Sequence, residues 1–179
     1  MANAKSPEEV ESEICEIVGR VVLSASLLDN QINSVLIAVL SLEDKALTFA
    51  VVAAHDAVRK IEILKAFAAQ IPKDEWRKPL VRYLEGVEKI NQARNSAAHS
   101  MVIEQGDDYV LASNNAAKLL KATDKKTRAI SRVPLGTLKD ASERAKRLYK
   151  EGQTVLENFV RFQEERKKRS SNADVKRRG

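Results

Sequence analysis

The stretch GRVVLSASLLDNQINSVLIAVL, residues 19–40, is strongly apolar and carries one carboxylate near its middle, Asp29. Apolar residues recur through and before it at alternating intervals of four and three, which places them on one face of an α-helix. The positions in this repeat are Ile14, Val18, Val21, Ala25, Leu28, Ile32, Val35 and Val39. Additional apolar residues beside this face indicate that the second half of the helix is buried on more than one side. The stretch therefore predicts the central helix of a bundle.

The composition of the whole chain is also that of a helical protein. The 179 residues include only six Gly and four Pro, whereas Ala, Leu, Glu, Lys and Arg are frequent, as they are in helices. A chain of this length with 44% hydrophobic residues can bury one core but is short for two domains of ordinary size. We predict a mainly α protein, an up-and-down helical bundle, with a single domain over residues 1–169 and a basic, disordered tail over residues 170–179.

Start signals and turn residues divide the first hundred residues into helices. Ser6 and Glu9 have the spacing of a capping box at the start of the first helix. Residues 41–68 fit either one bent helix or two short ones, and Pro72 then separates them from a helix predicted from about Asp74 to His99.

The periodicity changes after His99. Residues 101–113 contain two β-prone runs around a Gly-Asp-Asp turn, which predicts a hairpin. Residues 128–133 are a candidate for a further strand, while residues 114–126 fit a helix as well as a strand. A long helix with three-four spacing follows and ends in the basic tail. The predicted fold is thus a bundle with a small β-hairpin or short sheet inserted before the last long helix.

Several classes of protein are disfavoured by what the chain lacks. Its single cysteine, Cys15, excludes an internal disulfide, and with only two His no metal site is expected. No Gly-rich phosphate loop is present, so no cofactor is predicted. No uninterrupted apolar run reaches about 18 residues, and the polar, acidic N-terminal segment does not resemble a signal peptide. We predict a cytoplasmic protein without a membrane partner.

The positive charge is concentrated at the C-terminal end. The net charge is +6, and residues 161–179 contain eight Lys or Arg against three Asp or Glu, a net +5. A segment of this kind attracts phosphate by a salt-dependent mechanism that is blind to sequence. Charged chain ends are more often simply solvated, and that interpretation is favoured.

The stretch QARNSAAHS, residues 92–100, ends the helix that precedes the hairpin. The apolar stripe of this helix leads to Arg94, a side chain that keeps its charge and is seldom buried without a partner. Asn95 and His99 are four apart on one ridge, whereas Arg94 and His99 are five apart, about 140° around an ideal helix. Two explanations stay open. Arg94 pairs with Asp29 inside the protein while His99 only closes its helix, or a symmetric neighbour supplies the second Arg and His of a composite site.

The segment ARNSAAHS, residues 93–100, resembles the signature of the HEPN superfamily of helical domains. In that signature an Arg, followed by a polar residue that is often Asn, precedes a His after four to six intervening residues, late in a core helix. Four residues separate Arg94 from His99. The layout of residues 10–165 is similar as well, with an acidic residue at the centre of a long first helix and a β-containing excursion before the last one.

The resemblance implies a metal-independent endoribonuclease, active as a homodimer whose two motifs face one cleft. It further implies RNA as the substrate and a toxin or defence role, with an antitoxin or another protein as partner. His99 would act on a proton of the attacking 2′-hydroxyl or the leaving oxygen, Arg94 would stabilise charge on the phosphoryl oxygens, and Asn95 would orient His99 or the phosphate. Asn91 and Ser96 beside them are candidate substrate-binding residues. The products would be a 2′,3′-cyclic phosphate and a 5′-hydroxyl.

The chain departs from some branches of the family just after the motif. Members paired with minimal nucleotidyltransferase antitoxins carry a Tyr two positions after the His, where this chain has Met101. Many other relatives follow the His with Gly and an aromatic residue, where this chain has Ser100 and Met101. Further branches keep the bundle without nuclease activity. The alternative function is therefore a non-catalytic helical module that binds a protein or nucleotide partner.

Overall fold

A computed structural model describes residues 6–42, 45–105, 108–113 and 132–178. The helices are α1 (Pro7–Val39), α2 (Ala46–Ala53), α3 (Ala57–Ala68), α4 (Asp74–Ala98) and α5 (Leu135–Arg178), and the strands are β1 (Ser100–Gln105), β2 (Asp108–Ser113) and β3 (Arg132–Pro134). The fold is mainly α, with a small sheet inserted before the last long helix, as the sequence predicts. The segment that fits either a helix or a strand, residues 114–126, lies outside the described residues.

Local signals set the helix boundaries. The Ser6 hydroxyl accepts a hydrogen bond from the backbone N–H of Glu9 at 3.2 Å, and the Ser6 N–H donates to Glu9 Oε2 at 2.8 Å. The predicted capping box is therefore formed. Of the two alternatives for residues 41–68, the two short helices are present, because Asp56 caps α3 by accepting from the backbone N–H of Arg59 at 2.7 Å. Pro79 lies inside α4, near its start, without ending the helix.

The chain packs as two compact units. The first unit is Met1–Ser26 with Lys89–Lys146, and the second is Leu27–Glu88 with Arg147–Gly179. Each unit is built from segments that are far apart in the sequence, so α1, α4 and α5 all contribute residues to both.

The first unit has its core where α1, α4 and α5 meet the sheet. The strands are antiparallel in the order β1-β2-β3, with Ser100 opposite Ser113 and Leu111 opposite Val133. This register directs Leu111 into the core, where it is only 1% exposed. The buried residues of this core are Ile17, Val21, Ala97, Leu111 and Leu138.

The second unit contains a buried polar group between α1, α4 and α5. The Tyr83 hydroxyl donates to Gln31 Oε1 at 2.9 Å, and Gln31 Nε2 donates to the Tyr149 carbonyl oxygen at 2.7 Å. Burial raises the pKa of the Tyr83 hydroxyl well above its ordinary value. A Cβ atom at Gly152 would overlap Gln31 Oε1, so α5 can pass this group only because residue 152 has no side chain.

The last helix continues farther than expected. The sequence predicts a disordered tail over residues 170–179, whereas the structure describes α5 as helix through Arg178. Residues 153–178 contain no Gly or Pro, so the local signals that normally end a helix are absent from this part of the sequence.

Helix α1 contains an apolar window that the uninterrupted-run criterion misses. An 18-residue window of this helix is apolar enough to cross a membrane by length and composition, and 56% of that window is buried inside the protein. Burial of this kind is what the core helix of a bundle shows.

Candidate functional site

Four of the five residues that the sequence predicts for the site lie at the end of α4, and the fifth, His99, directly follows the helix. The backbone N–H of His99 donates to the carbonyl oxygen of Asn95 at 3.1 Å. Helical hydrogen bonding therefore extends through the whole motif, and ideal helix spacing describes how its side chains are distributed around the axis.

Alanine residues form the core face of this helix end. Ala97 is 7% exposed and packs in the core of the first unit, and Ala93 is partly buried against the same core. The sequence pattern predicts that the apolar stripe of this helix leads to Arg94. This prediction is wrong, because in the structure the stripe continues through Ala93 to Ala97. The weak hydrophobicity of alanine hides this continuation, because its large partners, such as Leu111, come from other parts of the chain.

The polar residues of the motif lie away from that core face. At about 100° per residue, Arg94 is displaced about 60° from Ala97, Asn95 about 160° and His99 about 200°. Arg94 is half-buried, whereas Asn95 and His99 are exposed. Around the helix the order is Arg94, Asn91, Asn95, His99 and then Ser96. We call the first four of these residues the polar arc. Arg94 is at the edge of the arc nearest the core face, and Asn91, Asn95 and His99 form a ridge along the rest of it. Ser96 lies outside the arc, beyond His99.

Arg94 has no carboxylate partner among the residues that the structure describes. No ion pair or hydrogen bond between described residues includes Arg94. The carboxylate that the sequence offers for it, Asp29, instead accepts from Lys60, with Nζ 2.9 Å from Oδ1. The Lys60 side chain is only 1% exposed, so Asp29 is the counter-charge of a buried lysine.

The amide of Asn91 is incompletely satisfied. Its Nδ2 atom is buried and has no hydrogen-bond partner within the described part of the chain. Buried polar groups are normally paired. An unused donor therefore lies one turn before Arg94 in the polar arc.

Apolar residues are exposed immediately after the motif. Met101 is 54% exposed and Val102 is 39% exposed, both on β1, which directly follows His99. The order β1-β2-β3 places β1 at an edge of the described sheet. Exposed edge strands with apolar side chains readily pair with other chains.

Lys60 is a buried residue that was not predicted from the sequence. Lys60, Leu64 and Ala68 recur at intervals of four, and all three are buried. This spacing places Lys60 on the core face of α3, and it is the signal from which its burial, and the need for a carboxylate such as Asp29, could have been predicted.

The chemistry of this helix end is that of an imidazole, a guanidinium and two amides. Among the described residues, no group of three or more His, Cys, Asp or Glu side chains is placed to hold a metal ion. The other histidine, His55, is exposed in the turn between α2 and α3, and the Cys15 thiol is free and exposed. Proton transfer by His99 and charge stabilisation by Arg94 are what the arrangement offers.

Comparison with known proteins adds no assignment. No protein-family model matches the chain, and no curated protein and no solved structure matches it either. The likeness of residues 93–100 to the HEPN signature therefore rests on the motif and on the helical layout.

Proposed function

We propose that the protein is a metal-independent endoribonuclease of the HEPN type that acts as a homodimer, with Arg94, Asn95 and His99 in its active site. The observation that carries the proposal is the state of Arg94. It is half-buried, it lies on the helix that the exposed His99 directly follows, and it is bonded to no described residue, while Asp29 is bonded to Lys60.

The residue types match cleavage of a phosphodiester. An imidazole exposed to solvent, as in His99, can take a proton from the 2′-hydroxyl or give one to the leaving oxygen, which commonly contributes about 10² to 10⁴ in rate. The guanidinium of Arg94 has five N–H donors and no acceptor, which suits the oxygens of a phosphoryl group as negative charge develops on them. Asn95 shares a ridge with His99 and can orient either the imidazole or the phosphate.

A second copy of the chain accounts for the angle between Arg94 and His99. The two side chains leave the helix about 140° apart, so one chain does not direct both at the same phosphate. A two-fold axis near the end of α4 would place Arg94 of one copy opposite His99 of its partner. The exposed Met101 and Val102 on edge strand β1, adjacent to the motif, support an interface with a second copy at this position.

Cleavage of single-stranded RNA in the presence of EDTA tests the proposed activity. Wild-type protein should produce 2′,3′-cyclic phosphate and 5′-hydroxyl ends, and RNA with 2′-deoxy nucleotides at every cleavage position should stay intact because the nucleophile is missing. His99→Ala should lower the rate by about 10² or more. The matched control is His55→Ala, which removes the other exposed histidine and should leave the rate unchanged.

Failure of this assay has a definite meaning. If wild-type protein cleaves several RNA substrates no faster than His99→Ala, the isolated protein is not a nuclease. The function would then be that of a non-catalytic helical module that binds a protein or nucleotide partner.

A further inference from the structure

A cavity of about 530 Å³ lies in the second unit. Its walls come from the end of α1, the end of α3, the start of α4 and one face of α5. Four aromatic side chains contribute to the lining: Phe67, Trp76, Phe159 and Phe162. The volume is within the range of small-molecule sites, roughly 300–1,000 Å³, and no residue of the polar arc lines it.

One wall is a cluster of rings in fixed contact. The ring of Trp76 meets Phe159 with centroids 5.9 Å apart at 63°, and meets Phe162 at 5.5 Å and 52°. Such tilted and edge-to-face pairs are favourable arrangements of aromatic rings. The indole N–H of Trp76 donates to Glu75 Oε1 at 3.1 Å, so its hydrogen-bonding capacity is already used. The ring cluster therefore offers the cavity an apolar surface.

The end of α1 forms another part of the lining. The N–H of Leu42 donates to the Ile37 carbonyl oxygen at 3.0 Å, and that of Ser41 donates to the Ala38 carbonyl oxygen at 3.2 Å. These bonds form a Schellman motif with Ser41 in the left-handed conformation, φ 56°. The Ala38 oxygen also accepts from Nε2 of Gln163 on α5.

That last bond fixes the amide of Gln163. With Nε2 committed to the backbone of α1, Oε1 is the free end of the amide, and it makes no hydrogen bond to a described residue. Gln163 lines the cavity. A single, oriented acceptor is therefore available beside an apolar surface.

The charge of the lining limits what the cavity can hold. Lys73 is the one charged residue among the described residues that line it, and its ammonium lies 3.7 Å from Glu75 Oε1. A charged ligand would lose hydration against the apolar walls, and the exposed ammonium of Lys73 would return only a weak surface ion pair. A nucleobase would bring several polar atoms that the apolar walls leave unpaired. An uncharged, mainly apolar ligand meets neither cost.

We infer that this cavity binds an uncharged aromatic small molecule that carries one hydrogen-bond donor. Its rings lie against Trp76 and Phe162, and its donor is directed at Gln163 Oε1. This site is separate from the proposed nuclease function and does not depend on it.

The single Trp of the chain makes this inference directly testable. Trp76 is in the cavity wall, so protein labelled with ¹⁵N gives one indole N–H resonance, and that resonance reports on the cavity. The full-length protein is titrated with 1-naphthol, with naphthalene as the matched probe without a donor, with 1-naphthoate as the charged probe, and with adenosine. We expect a saturable shift with 1-naphthol and a dissociation constant about three- to tenfold weaker for naphthalene. We expect no saturable shift with 1-naphthoate or adenosine.

Substitutions in the lining separate the contributions of ring surface and acceptor. Gln163→Met removes the amide at similar size, so it should make naphthalene and 1-naphthol bind equally. Gln70→Phe, at an exposed position of the lining, should fill the cavity and abolish binding of both. Phe162→Ala should weaken binding about tenfold through loss of apolar contact. Phe49→Ala is its matched control, because Phe49 is 38% exposed where Phe162 is 41% exposed and does not line the cavity.

Three results would overturn the inference. The first is the absence of a saturable shift of the indole resonance with any probe. The second is binding of 1-naphthoate or adenosine as tight as that of 1-naphthol, which would assign a different class of ligand. The third is an equal loss of affinity in Phe49→Ala and Phe162→Ala, with both variants folded by circular dichroism, which would place the binding elsewhere on the protein.

Discussion

Lys60 Nζ on α3 lies 2.9 Å from Asp29 Oδ1 on α1, and the two partners differ sharply in exposure. The Lys60 side chain is 1% exposed and that of Asp29 is 43% exposed. A buried ammonium depends on its counter-charge, whereas a carboxylate at the surface can be hydrated by water in its absence. The pair therefore stabilises the protein mainly because the Asp29 carboxylate compensates the buried charge of Lys60.

Removing the carboxylate should cost more stability than removing the lysine. Asp29→Ala leaves the buried ammonium uncompensated and should lower the free energy of unfolding by about 2–3 kcal/mol, whereas Lys60→Met keeps the packed stem and should cost less than about 1 kcal/mol. Denaturant unfolding measures both. The control is Glu62→Ala, which breaks the exposed Arg59–Glu62 pair and should cost at most about 0.5 kcal/mol. An equal loss in Asp29→Ala and Lys60→Met would contradict this account.

Arg94→Ala should abolish RNA cleavage while leaving the stability of the protein nearly unchanged. Because Arg94 is half-buried and is bonded to no residue that the structure describes, its removal should change the free energy of unfolding by less than about 1 kcal/mol. The same variant should lose RNA cleavage if Arg94 stabilises charge on the phosphate. A loss of stability as large as that of Asp29→Ala would instead identify Arg94 as part of an internal ion pair.

Gly152 should be intolerant of a side chain. Its added Cβ would lie 2.6 Å from Tyr83 Cε2 and would overlap Gln31 Oε1, and Gln31 is held by two hydrogen bonds. Gly152→Ala should therefore destabilise the protein by about 2–3 kcal/mol in thermal or denaturant unfolding. Gly19→Ala, also within a helix and with no atom within 4 Å of the added Cβ, should instead stabilise it by about 0.5–1 kcal/mol. Similar effects at both positions would show that the packing around Gly152 is looser than described.

Ser41 occupies a backbone conformation that suits glycine. Its φ of 56° at the end of α1 costs a residue with a Cβ atom roughly 1 kcal/mol. Ser41→Gly should thus raise the free energy of unfolding by about 0.5–1 kcal/mol, net of the greater freedom of Gly in the unfolded chain. Ser26→Gly, the same substitution inside α1, should lower it by a similar amount. A destabilised Ser41→Gly variant would show that the Ser41 side chain makes a contact worth more than this strain.

Features that depend on neighbours in the chain were predictable from the sequence. The Ser6–Glu9 capping box, the long helices and the hairpin after His99 follow from spacing and turn chemistry. The pairing of Asp29 with Lys60 joins residues 31 positions apart, and periodicity does not say which carboxylate a buried cation meets. For the same reason the sequence did not reveal that Ala97 and Leu111 belong to one core, or that residues from four helices line one cavity.

In the candidate site, too, some features follow from neighbouring residues in the sequence and others depend on distant parts of the chain. Helix spacing alone predicts that Asn91, Asn95 and His99 share a ridge, and in the structure the helical hydrogen bonding of α4 continues from Asn95 to His99. The half-burial of Arg94 depends on the core that Ala97 joins, which local sequence does not define. Whether a second copy completes the site is a property of an assembly, so neither a sequence pattern nor the geometry of one chain determines it.

Complementation between two inactive variants tests most directly whether Arg94 of one copy and His99 of its partner form one active site. Arg94→Ala and His99→Ala homodimers should each be inactive towards RNA in EDTA. After subunit exchange in an equal mixture, about half of the dimers contain one variant of each kind, and each of these has one intact site of two, so cleavage should return to about a quarter of the wild-type rate. Absence of recovery after demonstrated exchange between folded variants, or full activity of a monomeric wild-type protein, would contradict a site shared between two copies.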